Sequence, residues 1–167
     1  MSKLQPSTPI TLRPASPADL PEMQHLFVET IESICKNDYS PQHIAIWVSG
    51  VNNKQRWQQI MDEQIIILAE ITGQLAGFIT LENNRYIDLL YVHKNHQRLG
   101  VANLLYQHIE QIARQSGTKL LSAAVSISAR PFFLLRGFTM VMEQQVLRDG
   151  VAFTNYMMEK RIISQRE

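Results

Sequence analysis

Leu20, Met23, Leu26, Phe27, Ile31 and Ile34 recur at three- and four-residue steps, which lays one apolar stripe along a helix over residues 17–35. Ser16 followed by Pro17 suits an N-cap and a first helical position. Ahead of that helix, Ile10-Thr11-Leu12-Arg13 reads as a short strand ended by Pro14. Residues 38–40 break the pattern before Pro41, and residues 43–49 and 54–61 read as shorter helices interrupted at Asn52-Asn53. From Gln64 the period becomes that of strands. Residues 64–71 are β-branched and apolar, Thr72-Gly73 is a turn, residues 74–81 are a second strand, and Asn83-Asn84 precedes a third over 86–92. An antiparallel meander is predicted for these three. A helix follows from Gly100 to about residue 115, with Leu104, Leu105, His108, Ile109 and Ile112 on one face. Residues 120–125 form a further strand, and 129–136 a short helix stopped by Gly137. Residues 138–147 and 151–158 pair as a hairpin across Asp149-Gly150, a pair that suits a type I′ turn.

This order predicts a mixed α/β (α+β) fold, with a central mixed, mostly antiparallel twisted sheet flanked by helices on both faces. One domain is expected over residues 10–162, with an N-terminal extension at 1–9 and a tail at 163–167. The 167-residue length, 45% apolar content and 19% charged content fit one globular domain with a proper core. A net charge of +1 without a basic stripe argues against nucleic acid as a partner. No apolar run reaches the length of a membrane span, and the polar start lacks a signal-peptide core. Cys35 is the only cysteine, so no intrachain disulfide can form. Cytoplasmic residence is the default expectation.

The chemistry concentrates between residues 86 and 113. A strand ending Leu90-Tyr91-Val92 leads through a polar loop into Gln97-Arg98-Leu99-Gly100-Val101-Ala102, which enters a helix. Such a turn aims consecutive backbone N–H groups into one concavity with the helix dipole behind them, which suits a pyrophosphate. Gly100 allows close approach of the anion, Ala102 keeps the next turn open, and Lys94 and Arg98 can add charge. The segment is no Walker loop, lacking Gly-Lys-Ser/Thr, and no dinucleotide fingerprint, lacking the second and third glycines.

With Leu-Tyr-Val ahead of it, the segment resembles the acetyl-CoA-binding motif of the GNAT N-acetyltransferase superfamily, Gln/Arg-x-x-Gly-x-Gly/Ala, matched by Gln97, Gly100 and Ala102. Thr11-Leu12-Arg13-Pro14-Ala15 with Ala18-Asp19-Leu20 resembles the family's opening strand and first helix. The stretch from Ala129 through Phe132, Phe133 and Leu134 to Gly137-Phe138 resembles its last helix. The resemblance covers about residues 10–160. It implies that the 86–92 strand splays from the 120–125 strand and that pantetheine lies in the gap, paired with the backbone of Leu90 and Val92 beside Tyr91. It also implies that the pyrophosphate sits on the amides of Arg98, Leu99, Gly100, Val101 and Ala102, with the acetyl carbonyl near the Leu90 N–H. That N–H would stabilise the oxyanion of a tetrahedral intermediate.

Acetyl transfer to an amine needs a base, because a lysine-like amine with pKa near 10.4 is almost all ammonium at pH 7. Asp88, mid-strand among Ile87, Leu89 and Leu90, is the first candidate; the alternative is a solvated or salt-bridged strand residue. Tyr86 shares its face, and Glu82 lies at the preceding strand end. Many family members carry a tyrosine four residues before the Gly of Gly-Phe; here that position is Phe133, which cannot donate a proton but can line the acetyl pocket. Ser126 stands where an asparagine often contacts the cofactor. Either CoA leaves as thiolate without a dedicated acid, or another group serves, with Tyr156 and Ser128 as candidates; Tyr156 otherwise packs in the sheet.

His93 and His96 sit in a polar loop without a cysteine or carboxylate cluster, so no metal is expected. Tyr39, Trp47 and Trp57 either border the acceptor site or simply cover the sheet. The expected activity is acetyl transfer from acetyl-CoA to a primary amine of a small molecule or a peptide. A catalytically weak acyl-CoA sensor module and a nucleotide-binding domain are the competing readings. The edge of the last strands offers a surface for a homodimer.

Overall fold

A computed structural model describes residues 8–163; the first seven residues of the N-terminal extension and all but Ile163 of the tail lie outside it. Seven strands form one sheet in the order β1-β2-β3-β4-β5-β7-β6. They are β1 (Ile10–Pro14), β2 (Ile65–Ile71), β3 (Gln74–Glu82), β4 (Tyr86–Val92), β5 (Leu120–Ser126), β6 (Thr139–Arg148) and β7 (Val151–Arg161). Every neighbouring pair is antiparallel except β4 and β5. The helices are α1 (Leu20–Ile34), α2 (Pro41–Ser49), α3 (Lys54–Glu63), α4 (Val101–Gln115) and α5 (Arg130–Leu135).

The predicted helix over 17–35 is an α-helix between two 3₁₀ turns, Pro17–Asp19 and Cys35–Asn37. Its start is fixed by Asp19, which accepts from the Ser16 amide at 2.7 Å and pairs with Arg13 of β1 at 2.8 Å. Helix α2 begins at Pro41, earlier than the apolar pattern suggests, because Ser40 caps it by accepting from the His43 amide. Asn53 caps α3 in the same way through the Arg56 amide. The β6–β7 hairpin turns at Asp149 and Gly150, with φ of 48° and 76°, as a type I′ pair requires. Strand β7 runs to Arg161, three residues past the apolar pattern, since β5 and β6 pair with its polar end.

Two cores sandwich the sheet. Ile67, Ile79, Ile87 and Val125 pack against Val101, Leu105 and Ile109 of α4 and Phe133 of α5. On the other face Ile66, Leu68 and Phe78 pack against Met23, Phe27 and Ile31 of α1 and Trp57 and Ile60 of α3. At the α4 end of the first core, Glu110 accepts from Lys160 Nζ at 2.8 Å and from Arg114 Nε at 3.0 Å, and also from the Tyr106 hydroxyl. Burial opposes its ionisation, yet Lys160, Tyr106 and Arg114 outweigh that and bring its carboxyl from the ordinary 4.5 down to about 2. A depressed carboxyl stabilises the fold above its unfolded value and loses that contribution as pH falls through the folded one. Unfolding scans are therefore expected to show a loss of about 2–3 kcal/mol between pH 4.5 and 2 that is missing in Glu110→Gln, itself destabilised at pH 7.

Candidate active site

Strands β4 and β5 pair over only two positions, Tyr86 with Ser122 and Ile87 with Ala123. Beyond them β5 turns toward β7, to which it is paired through Ser126–Asn155, and β4 stays with β3. A wedge opens between the strands from Asp88 and Ala124 onward.

Strand β4 carries a bulge at the mouth of this wedge. Ile79 faces Leu90 and Leu81 faces Ile87, so Asp88 and Leu89 together oppose the single residue Thr80. Thr80 is fully buried, and its Oγ1 accepts from the Leu89 amide at 3.0 Å, which satisfies a group the ladder leaves free. The extra residue turns two consecutive side chains, Asp88 and Leu89, toward the α1–α3 face. It also sets the phase of the strand beyond. The Leu89 amide is used on the β3 side and the His93 amide donates to Ala76 O there, so alternation turns the backbone polar groups of Leu90 and Val92 to the open side.

Two cavities meet in the wedge. One, about 260 Å³, lies on the α4 and α5 side and is bordered by Leu90, Val92, Gln97, Ala102, Phe132 and Phe133. The other, about 240 Å³, lies toward α2, α3 and the β6–β7 hairpin. Trp47, Asp88, Tyr91, Ala124 and Ser126 line both. The second cavity is walled by Tyr39, Trp47, Trp57 and Phe153, so the three aromatic residues singled out in the sequence border it while also covering the sheet.

At the outer end of the first cavity, the loop enters α4 through two left-handed residues, Arg98 (φ 59°) and Gly100 (φ 86°). The amides of residues 98–102 donate to no acceptor among the described residues. Two belong to the first turn of α4 and a third, Gly100, is its N-cap, where no carbonyl is available. Left-handed and right-handed residues in succession make a concave set of donors, to which the helix adds its positive end. A Cβ at Gly100 would meet nothing within 4 Å, so glycine is needed for the backbone angle and for access, not for packing. Arg98 is exposed at the rim, whereas Lys94 leans toward Glu29 at 3.8 Å. Leu99 and Val101 point apart: Leu99 is exposed and Val101 fully buried.

Asp88 is held by Arg56 Nη2 at 2.5 Å and Gln64 Nε2 at 2.7 Å, both on Oδ2. It is thus salt-bridged and cavity-lining at once. Gln97 folds back, its Nε2 donating to Val92 O at 2.6 Å, where Thr30 Oγ1 also donates at 3.1 Å. These two contacts brace the end of β4 from the loop and from α1. Ser126 Oγ accepts from the Ala129 amide at 3.2 Å, so its hydroxyl proton stays free at the junction of the cavities. Ser128 donates to Asp38 Oδ2 at 2.8 Å. Phe133 stacks edge-on with Phe132 and Phe138 at 5.6 and 5.1 Å and presents only a ring to the cavity. Tyr156 lines neither cavity; its ring lies under the Arg130 guanidinium at 4.6 Å and packs against the first core. Leu90, Gln97, Ala102 and Phe133 therefore border one cavity, with the amides of residues 98–101 in the loop between Gln97 and Ala102; Asp88 joins it to the other, and Tyr156 stands apart.

Sequence reading missed Arg56, Gln64, Thr80 and Thr30, whose roles arise only when distant elements meet. One signal was present: a threonine inside an apolar strand, opposite the aspartate of the next. Among the described residues, no group of three or more His, Cys, Asp or Glu is arranged to hold a metal ion. No described helix is long and apolar enough to cross a membrane.

The profile of the acetyltransferase (GNAT) domain matches residues 35–160. An uncharacterized N-acetyltransferase of Escherichia coli, YafP, is 31% identical over 149 residues, covering 89% of this chain and 94% of its own. A GCN5-related N-acetyltransferase from Rhodopseudomonas palustris superposes with a TM-score of 0.89 at 28% identity, covering 96% of this chain and all of its own. The PaiA N-acetyltransferase of Thermoplasma acidophilum, solved in complex with coenzyme A, shares the fold at a TM-score of 0.67 and 20% identity over 92% of this chain and 99% of its own. With a splayed strand pair, a bulged β4 and a donor-rich entry to α4 in one profile-matched domain, this chain belongs to the GNAT acetyltransferase family.

Proposed function

We propose that the protein transfers the acetyl group of acetyl-CoA to a primary amine by direct attack. The observation that carries this reading is the meeting of two cavities at Asp88 across the β4–β5 wedge, one of them bordered by Gln97 and Ala102 at the two ends of the loop whose amides are free. A neighbour of the same fold was solved with coenzyme A, and the residues present here fit that ligand. The edge of β4, with the Leu90 backbone groups and the Val92 N–H unused among the described residues, can accept pantetheine as an added strand, and the α4 entry can accept a pyrophosphate. Bound acetyl-CoA supplies an activated thioester; the protein supplies everything else.

The Leu90 N–H donates to the thioester carbonyl oxygen and polarises it. Asp88, fixed by Arg56 and Gln64 through Oδ2, offers Oδ1 to the incoming ammonium and takes a proton from it directly or through water. Phe133 has no hydroxyl for the departing sulfur. Ser126 and Ser128 both line the cofactor cavity, but Ser128 already donates to Asp38, so Ser126 is the nearer source of a proton if the thiolate takes one. Tyr156 would have to leave its place beneath Arg130 to serve.

Thiol release from acetyl-CoA against a panel of amines tests the proposal: turnover with at least one amine class is expected. Tight CoA binding with no turnover across the panel would favour instead the acyl-CoA sensor reading, which Phe133 supports. Gly100→Val is expected to raise the Kd for CoA by about tenfold or more, since the side chain both strains a positive φ and intrudes where the anion approaches. Its melting temperature should fall only slightly, because the added carbons meet no protein atom. Calorimetric titration and a thermal scan of the same sample check both parts.

A further inference from the structure

The acceptor cavity has an unexpected charge balance for a site that receives an amine. Its charged side chains are Arg56, Asp88 and Arg148, two cations against one anion. Asp88 is already paired with Arg56. Arg148, at the end of β6, lies over the Phe153 ring at 5.5 Å, and no carboxylate among the described residues comes within ion-pair distance of it. A simple alkylamine or a polyamine would enter as a cation between two guanidiniums with one partly neutralised carboxylate to greet it. An excess positive field of this kind repels polycations and attracts anions.

The geometry assigns the charges to two ends. Asp88 sits at the wedge, where the thioester carbon must be reached, and Arg148 sits on the hairpin side, where it is exposed. Tyr39, Trp47 and Phe153 supply aromatic walls, and Asn155 adds a side-chain amide that makes no hydrogen bond among the described residues, its Oδ1 buried. At about 240 Å³ the cavity falls below the range of about 300–1,000 Å³ of drug-sized sites, so a small acceptor fits it better than a polymer segment.

Resting on the acetyl-transfer reading above, we infer that the acceptor is a small amine that also carries an oxyanion, a carboxylate or phosphonate held by Arg148 while the amine meets Asp88. A guanidinium offers two parallel N–H donors that match the paired oxygens of either group. Once Asp88 or water has taken one proton from the ammonium, the free amine nitrogen forms the new bond to the acetyl carbon, the carbon–sulfur bond breaks, CoA departs with the electron pair, and the second nitrogen proton passes to water or to the departing thiolate.

Amino acids paired with their decarboxylated amines test this: phenylalanine against phenethylamine and leucine against isoamylamine, with the aminophosphonate analogue of phenylalanine and spermidine alongside. The anionic member of each pair is expected to have a kcat/KM about tenfold or more above its partner, with spermidine poorest. The carboxylate and phosphonate arms decide which oxyanion is preferred. Arg148→Gln should erase the preference within each pair, chiefly by raising the KM of the anionic member, and Arg148→Lys should restore part of it. Equal rates within the pairs, a preference for spermidine, or a preference untouched by Arg148→Gln would overturn the inference. The same ligands titrated into the CoA-loaded protein give a readout that does not need turnover. Phenylalanine binding that Arg148→Gln abolishes, with no thiol release, would sink the acetyl-transfer reading alone. Indifference of binding to the oxyanion would sink this inference alone.

Discussion

Asp88→Asn is expected to lower turnover by about 10²–10⁴-fold, the range lost when a positioned general base is removed. The change keeps the shape of the side chain and an oxygen for Arg56 or Gln64, so the bulge and both cavities should survive. The amide cannot take a proton, however, and no longer attracts an ammonium. The deficit should be largest at low pH, where almost none of the amine is free base, and should shrink as rising pH deprotonates the amine in solution. CoA affinity should stay at the wild-type level, because the free amides proposed to hold the pyrophosphate lie beyond the far end of β4. Rate profiles across pH on wild type and variant check this. Parallel profiles of equal height would remove Asp88 from the chemistry and leave it as the structural partner of Arg56.

Gly77→Val is expected to cost about 4 kcal/mol of stability, near the upper end for a single substitution. Gly77 sits in β3 opposite Val92, beneath the first turn of α4. A Cβ there would lie 2.9 Å from Tyr91 O, 3.0 Å from a Val101 methyl and 3.3 Å from a Leu105 methyl. The nearest of these is backbone of the neighbouring strand, which cannot rotate away. Valine adds two more carbons to the conflict, so α4 or β4 must shift. Because the amides of residues 98–102 ride on α4 and Leu90 and Val92 on β4, the same displacement should weaken CoA binding even in the folded fraction. Denaturant titration gives the first effect and calorimetry with CoA the second. A variant as stable as wild type would show that α4 packs on the sheet more loosely than these distances allow.

Much of this arrangement could be read from the chain. The apolar stripe of α1, the bounds of β4 and the Asp149-Gly150 hairpin follow from local patterns, and the structure reproduces them because local preference and tertiary packing agree there. The Gln97–Ala102 turn was legible as a sharp entry into a helix because the required backbone angle is written in Gly100. Arg98 was not: a non-glycine residue at φ 59° has no signature in sequence. The bulge was equally hidden. It depends on the register between β3 and β4, and Thr80 acquires its role only after Leu89 has been displaced opposite it. Asp88 could be picked out as an awkward charge in an apolar strand, but its partners, Arg56 and Gln64, come from sequence positions 32 and 24 residues away. Gln97 illustrates the opposite case. The motif assigns it to the cofactor, whereas its side chain here turns inward and closes on Val92 O. Tyr156 had the right chemistry for an acid, but that its ring lies beneath Arg130 and lines neither cavity depends on packing that strand alternation does not reveal.

The central claim is that acetyl-CoA lies in the β4–β5 wedge with its pyrophosphate on the entry to α4. Amide chemical shifts recorded while CoA is titrated into the labelled protein test it most directly. The account predicts that the largest changes fall on Leu90, Val92 and residues 98–102, with smaller ones at Asp88 and Ser126 where the cavities join. Changes confined to other surfaces, or equal changes on adding ATP or NAD in place of CoA, would contradict it.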